Sequence, residues 1–156
     1  YPFTPQPVIS QAIISVSDVP VFVGVGGGIT TGSRSVRLAI QSEHQGAYGV
    51  VLNAPTSDDV IRQIKKVVDI PVVITVVSAR LAAGVDFLNV SGAAATPEIV
   101  AEIRRDFPKV PIIATGGPTE ESILRTIQAG ANAITYTPPS NGVLFARIMN
   151  QHRKAL

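Results

Sequence analysis

The 156-residue sequence predicts an α/β protein built on a parallel sheet. Three observations predict it. The apolar runs are short and rich in β-branched residues, as at 71–77 and 110–115, which suits strands buried on both faces. Amphipathic stretches of helical period separate those runs. Glycine clusters, Gly26-Gly27-Gly28 and Gly116-Gly117, join a strand directly to the following helix. Right-handed crossovers then leave two main architectures, an open doubly wound sheet or a (βα)8 barrel.

The elements follow in order. Residues 4–18 read as a helix, with Thr4-Pro5 as cap and first-turn proline and Val8, Ile9, Ala12, Ile13 and Val16 as its apolar side. Strand 21–25 runs into Gly26-Gly27-Gly28, and Thr30, Thr31, Gly32 and Ser33 lead a helix over 33–45. Gly46-Ala47 delivers strand 48–52, which ends at Asn53-Ala54-Pro55. Helix 56–69 carries Asp58 and Asp59 in its first turn and turns Val60, Ile61, Ile64, Val67 and Val68 inward. Strands 71–77 and 85–90 are separated by only seven residues, 78–84, too few for the helix of a parallel return. The Leu81-Ala82-Ala83-Gly84 stretch reads as the tail of a helix, so a mobile loop and part of its helix are expected to be absent after Ser78 or Arg80. Small residues 91–95 lead to Thr96-Pro97-Glu98, read as the cap of a helix reaching 106. Strand 110–115, Gly116-Gly117, a helix opened by Pro118 and bearing Ile123, Leu124 and Ile127, strand 133–137 and a final helix over 143–154 complete the chain. The Gly27 and Gly116 units share the opening Gly-Gly-x-Thr-x-x-Ser and then an Arg and an Ile-Gln, with two more residues between Ser and Ile in the first, which suits either an internal repeat or two converged βα units.

Composition narrows the function. One domain, residues 1–156, is expected, and 46% hydrophobic residues are enough for a sizeable core. A net charge of +2 with 15% charged residues gives no basic field for nucleic acid. The absence of cysteine excludes disulfides and thiolate metal sites. No apolar run is long enough to span a membrane and no signal-peptide pattern is present, so a soluble, cytoplasmic protein without membrane partners is expected. No metal-ligand spacing is present either.

The stretch Ile-Ile-Ala-Thr-Gly-Gly-Pro-Thr-x-Glu-Ser-x-x-x-x-Ile-Gln-Ala-Gly-Ala-Asn-Ala-Ile from Ile112 resembles the seventh and eighth βα units of phosphate-binding (βα)8 barrels. That group includes 2-keto-3-deoxy-6-phosphogluconate aldolase, N-acetylmannosamine-6-phosphate epimerase, thiamine phosphate synthase and flavin-mononucleotide barrels. The resemblance covers about thirty residues and implies a TIM-type barrel whose loops after strands 7 and 8 hold a phosphate. Carried over by position, Thr115, Gly116 and Gly117 form the first phosphate arm and Ser140, Asn141 and Gly142 the second. The eighth-strand loop departs from the group, with Thr135-Tyr136-Thr137-Pro138-Pro139 in place of a glycine pair. Strand 133–137 as the eighth makes strand 21–25 the third, so the first two βα units are expected to lie outside this chain. Gly26, Gly27 and Gly28 form a second candidate anion turn, whose other reading is a tight strand-to-helix turn.

The polar groups at strand ends are Gly26, Asn53, Thr75, Ser78, Asn89, Ser91 and Thr115, with no strong acid, base or nucleophile among them. Asn53, Asn89 and Ser91 are the candidates to orient a substrate, with loop capping as the alternative for the asparagines. Lys65, Lys66, Lys109 and Lys154 fall on helices or helix ends, so no strand-borne Schiff-base lysine is visible. Asp86, opening its strand at the stability face, is expected to bind backbone or a neighbouring arginine, and His44 at a helix end and His152 in the tail are expected to be solvated. The resemblance implies a sugar-phosphate isomerase, epimerase or lyase that takes a small phosphorylated metabolite without a cofactor; a homo-oligomer is one candidate assembly, and the sequence does not set the oligomeric state. A flavin-mononucleotide oxidoreductase and a non-catalytic sensing or assembly barrel are the alternatives.

Overall fold

Strand order decides how the helices lie. In the computed structural model, which describes residues 6–77, 84–117, 119–136 and 140–154, β1 (Phe22–Gly26), β2 (Gly49–Leu52), β3 (Val72–Val76), β4 (Phe87–Val90), β5 (Ile112–Thr115) and β6 (Ala133–Thr135) form one sheet in chain order. Every neighbouring pair is parallel. Right-handed crossovers between strands added always on the same side place the intervening helices on one face. The sheet is therefore the kind that curls into a (βα)8 barrel, as expected, with β1 and β6 at its edges.

The helices are α1 (Pro7–Val16), α2 (Ser33–His44), α3 (Asp58–Val67), α4 (Thr96–Asp106), α5 (Glu120–Gln128) and α6 (Asn141–Lys154). The core fills the space between helices and sheet. Val50, Leu52, Val72, Ile74, Val76, Leu88, Val90, Ile112 and Ala114 are buried there with Ile61 and Ile64 of α3 and Val100 and Ile103 of α4. Because side chains alternate along a strand, Val51, Val73, Thr75, Phe87, Asn89, Ile113, Thr115 and Thr135 share the opposite face. That face changes character along the strands. It is apolar toward their N-terminal ends, at Val51, Val73 and Phe87, and polar at the C-terminal ends.

Several local expectations are corrected. The cap of α4 is Ala95, and Thr96 is already helical; its hydroxyl accepts the Gly92 N–H and donates to the Ala93 carbonyl of a preceding 3₁₀ turn, Ala93–Ala95. Helix α6 starts at Asn141, so Asn141 and Gly142 belong to its first turn. Val67 is 45% exposed, and Leu124 and Ile127 are about as open, so the inward sides of α3 and α5 are narrower than the apolar pattern predicts. The apolar side of α1 is largely in solvent, with Val8 and Val16 more than two thirds exposed. Strands β3 and β4 pair in parallel across the short return that the sequence marked as a break. Most of that return, 78–83, with Thr4-Pro5, Pro118 and 137–139, lies outside the described residues.

Candidate ligand site at the strand ends

Polar side chains on β3, β4 and β6 meet across the sheet. Parallel register sets Thr75 beside Asn89, and the Asn89 Nδ2 donates to Thr75 Oγ1 at 3.1 Å. Thr135 Oγ1 donates in turn to Asn89 Oδ1 at 3.4 Å. The three residues make a continuous neutral row at the C-terminal ends of the strands, half-open to solvent at Thr75 and Asn89 and open at Thr135. Such a row can donate to and accept from a ligand's oxygens but carries no charge.

A cleft of about 350 Å³ opens beside the row, lined by Thr115, Gly116 and Gly117 with Ser122, Arg125 and Thr126 of α5. Thr115 connects the two features, because it is in register with Thr135. Gly117 has a φ of +76°, and a Cβ there would press on the Ser122 side chain, so glycine lets the turn pass close to the helix start. A capping box closes that start: Thr119 Oγ1 accepts the Ser122 N–H at 3.2 Å, and Ser122 Oγ accepts the Thr119 N–H at 3.2 Å. Arg125 supplies the positive charge among the lining residues. One of its guanidinium nitrogens pairs with Glu98 of α4 at 3.0 Å, and both side chains are more than half exposed, so the pair is weak and exchangeable.

The other sequence candidates lie elsewhere. Asn53 caps the end of β2: its N–H donates to the Gly26 carbonyl and its carbonyl accepts from Thr56 N–H, both at 3.0 Å. The Asn53 side chain stands against the α-carbon of Gly27 and does not join the Asn89 row. Ser91 follows β4 on the face of Asn89, with its N–H given to Val76. At Gly26-Gly27-Gly28 the Gly27 N–H is taken by the Thr30 carbonyl at 3.0 Å, and Gly26 packs against Ser35 and Leu52. Ser140 Oγ accepts the Val143 N–H at 3.4 Å, and Ser140, Asn141 and Gly142 are exposed and apart from the cleft. Among the described residues no group of His, Asp or Glu could hold a metal ion.

Arg125 and Thr135 are the site residues that strand-end reasoning passed over. Thr135 was legible only as a polar residue of the last strand, since its register with Thr115 comes from strand pairing, and Arg125 as the one basic residue of the helix after Gly117. Lysine sits away from the row: Lys65 of α3 pairs with Asp86 at 2.8 Å at the opposite, N-terminal end of the strands, and Lys66 and Lys109 are likewise off the strands.

Solved structures share this architecture. Dihydrodipicolinate synthase DapA-2 from Bacillus anthracis superposes with a TM-score of 0.69 at 16% identity, over 87% of this chain and 54% of that one. QR15, described as an aldolase, gives 0.65 at 19% identity over 82% and 73%. The M276A mutant of FabK from Thermotoga maritima gives 0.64 at 21% over 83% and 48%. The chain thus spans about half the length of the synthases it matches. At these identities the likeness establishes the fold. No protein-family model and no curated relative matches the sequence.

Proposed function

We propose that the C-terminal face of this sheet binds a small phosphorylated metabolite for lyase or isomerase chemistry of the aldol type. The observation that carries it is the cleft of Thr115, Gly116 and Gly117 with Arg125 on its wall, continuous through Thr115 with the Thr75–Asn89–Thr135 row. A guanidinium recognises phosphate through charge-assisted hydrogen bonds, and exchange of Glu98 for a ligand anion leaves Arg125 paired in both states. The neutral row offers orientation to the rest of the ligand. The synthase and aldolase neighbours support the lyase class, and the barrel rule that ligands sit at the C-terminal ends of strands supports the place. Proton transfer needs an acid or base that the row does not contain, so the two open edges of the sheet are where further strands would bring one.

Thermal shift tests the reading. Dihydroxyacetone phosphate at a hundredfold excess over its Kd adds about 2.7 kcal/mol of stability by mass action, read as a rise of several degrees in Tm. Arg125→Gln is expected to remove most of that rise while leaving the unliganded Tm within about two degrees. A rise that Arg125→Gln leaves intact, or none with any phosphate ester, contradicts it. A response confined to flavin mononucleotide would favour an oxidoreductase.

A further inference from the structure

The cleft beside Arg125 has a second wall. It is lined also by Ala93, Ala94 and Pro97, from the loop after β4 and the first turn of α4. Their side chains carry no polar atom, so this wall bounds the cleft by shape. Ala93 stands in an unusual conformation. Its φ is +50°, the one positive value at a non-glycine among the described residues, in a region that disfavours an L side chain. Thr96 braces it. That side chain is fully buried, and its hydroxyl accepts the Gly92 N–H at 3.0 Å and donates to the Ala93 carbonyl at 2.9 Å, so one oxygen clamps both ends of the Gly92-Ala93 stretch. A Cβ at Gly92 would press on Ile99, so the loop also lies close against α4.

From this we infer that Thr96 is a positioning residue for the ligand cleft, keeping Ala93 left-handed and so holding the Ala93-Ala94 wall in place. The inference rests on the phosphorylated-metabolite reading and deepens it. Thr96 is not among the lining residues and acts through the loop. Backbone strain persists only where the surroundings over-determine it, and it collects where a site needs a fixed shape. The same first turn of α4 carries Glu98, the partner of Arg125, so wall and cation share one frame. Without the hydroxyl, alanine leaves the left-handed region by odds of roughly five to thirty to one. A wall kept by only that fraction of molecules weakens the apparent affinity in proportion. Glycine at position 93 takes a positive φ without that penalty.

Calorimetric titration with dihydroxyacetone phosphate reads the effect. Thr96→Val, which keeps the shape and removes the hydroxyl, is expected to weaken binding at least about fivefold, and Thr96→Ser to bind like the intact protein. Adding Ala93→Gly to Thr96→Val is expected to recover affinity, although it restores no hydrogen bond. A threonine with a merely structural role would lower Tm in Thr96→Val and leave the affinity unchanged. That result, or a double variant that binds no more tightly than Thr96→Val, overturns the inference. If Thr96→Val does not fold, Ala93→Val against Ala93→Gly makes the comparison at an exposed position. Loss in the first and retention in the second support the role of Ala93, and any other pattern rejects it. If the intact protein does not bind the ester, the phosphate reading fails by itself, and the brace is read without ligand. The Ala93 Cβ signal in the NMR spectrum is then expected to move in Thr96→Val and stay in Thr96→Ser, and a signal unmoved in both rejects the brace.

Discussion

Two residues just before strands perform the same task at the N-terminal end of the sheet. Asp86 Oδ2 accepts the N–H of Val72, the first residue of β3, at 2.7 Å, and Asn132 Oδ1 accepts that of Ile112, the first of β5, at 2.9 Å. Each is held in turn by a cation, Asp86 by Lys65 and Asn132 by Arg104 at 2.8 Å. Arg104 also reaches the carbonyls of Pro108, Val110 and Gly130, tying the end of α4 to the starts of β5 and β6. Asn132→Ala leaves the Ile112 N–H without its acceptor and is expected to cost about 1–3 kcal/mol in urea unfolding, whereas Asn132→Asp, which keeps the oxygen and pairs with Arg104, costs less. Equal losses in the two variants would show that the acceptor is not what matters. Thr56 behaves oppositely. Its buried Oγ1 has no hydrogen-bond partner among the described residues, so Thr56→Val is expected to leave stability unchanged or raise it. The backbone-binding role of Asp86 was legible from its place before a strand. Its partner is a lysine rather than an arginine, because only the fold brings α3 to that position. The matching Gly84-Val85-Asp86 and Gly130-Ala131-Asn132 triplets, with φ of +81° and +109° at the glycines, are the sequence trace of the shared device.

Helix boundaries turn on which side chains reach the first-turn amides, and composition shows this poorly. Glycine, proline and two glutamates mark the start of α5 in the sequence, yet the box is made by Thr119 and Ser122. Thr119→Ala is expected to cost about 1 kcal/mol by loss of the cap, measured as a lower midpoint in urea with an unchanged slope. A changed slope would instead mean that α5 no longer docks in the native state. Thr96 was misread for a related reason. A threonine before proline fits a cap, but here its hydroxyl bonds back to Gly92 and Ala93 and lets the 3₁₀ turn flow into α4. The row of Thr75, Asn89 and Thr135 was only partly readable. Alternation puts each on one face, but which strands become neighbours, and in what register, is set by tertiary pairing.

At the scale of the whole molecule, stability resides between the helices and the sheet. Leu88 is fully buried there, so Leu88→Ala is expected to cost about 2–5 kcal/mol, against well under 1 kcal/mol for Leu124→Ala at a half-exposed position. Equilibrium unfolding of both variants checks the contrast, and similar losses would mean that α5 buries more than the fold implies. The apolar side of α1 was legible as a pattern, but a pattern says which face is apolar and not what covers it. Val8 and Val16 on α1 and Val143, Leu144 and Phe145 on α6 are exposed beside a sheet that ends in two edges. The parallel barrel-type architecture was predictable, since six strands with a helix at all but one of their connections, and right-handed crossovers, permit few others. The central claim is that the C-terminal face of this sheet is the binding face, centred on the Thr115–Gly117 turn. A crystal structure of the protein soaked with dihydroxyacetone phosphate tests it most directly. Phosphate is expected in the cleft against Arg125, with the rest of the ligand over the Thr75–Asn89–Thr135 row. Phosphate bound instead at Ser140–Gly142 or at Gly26–Gly28, or none at saturating concentration, would contradict it.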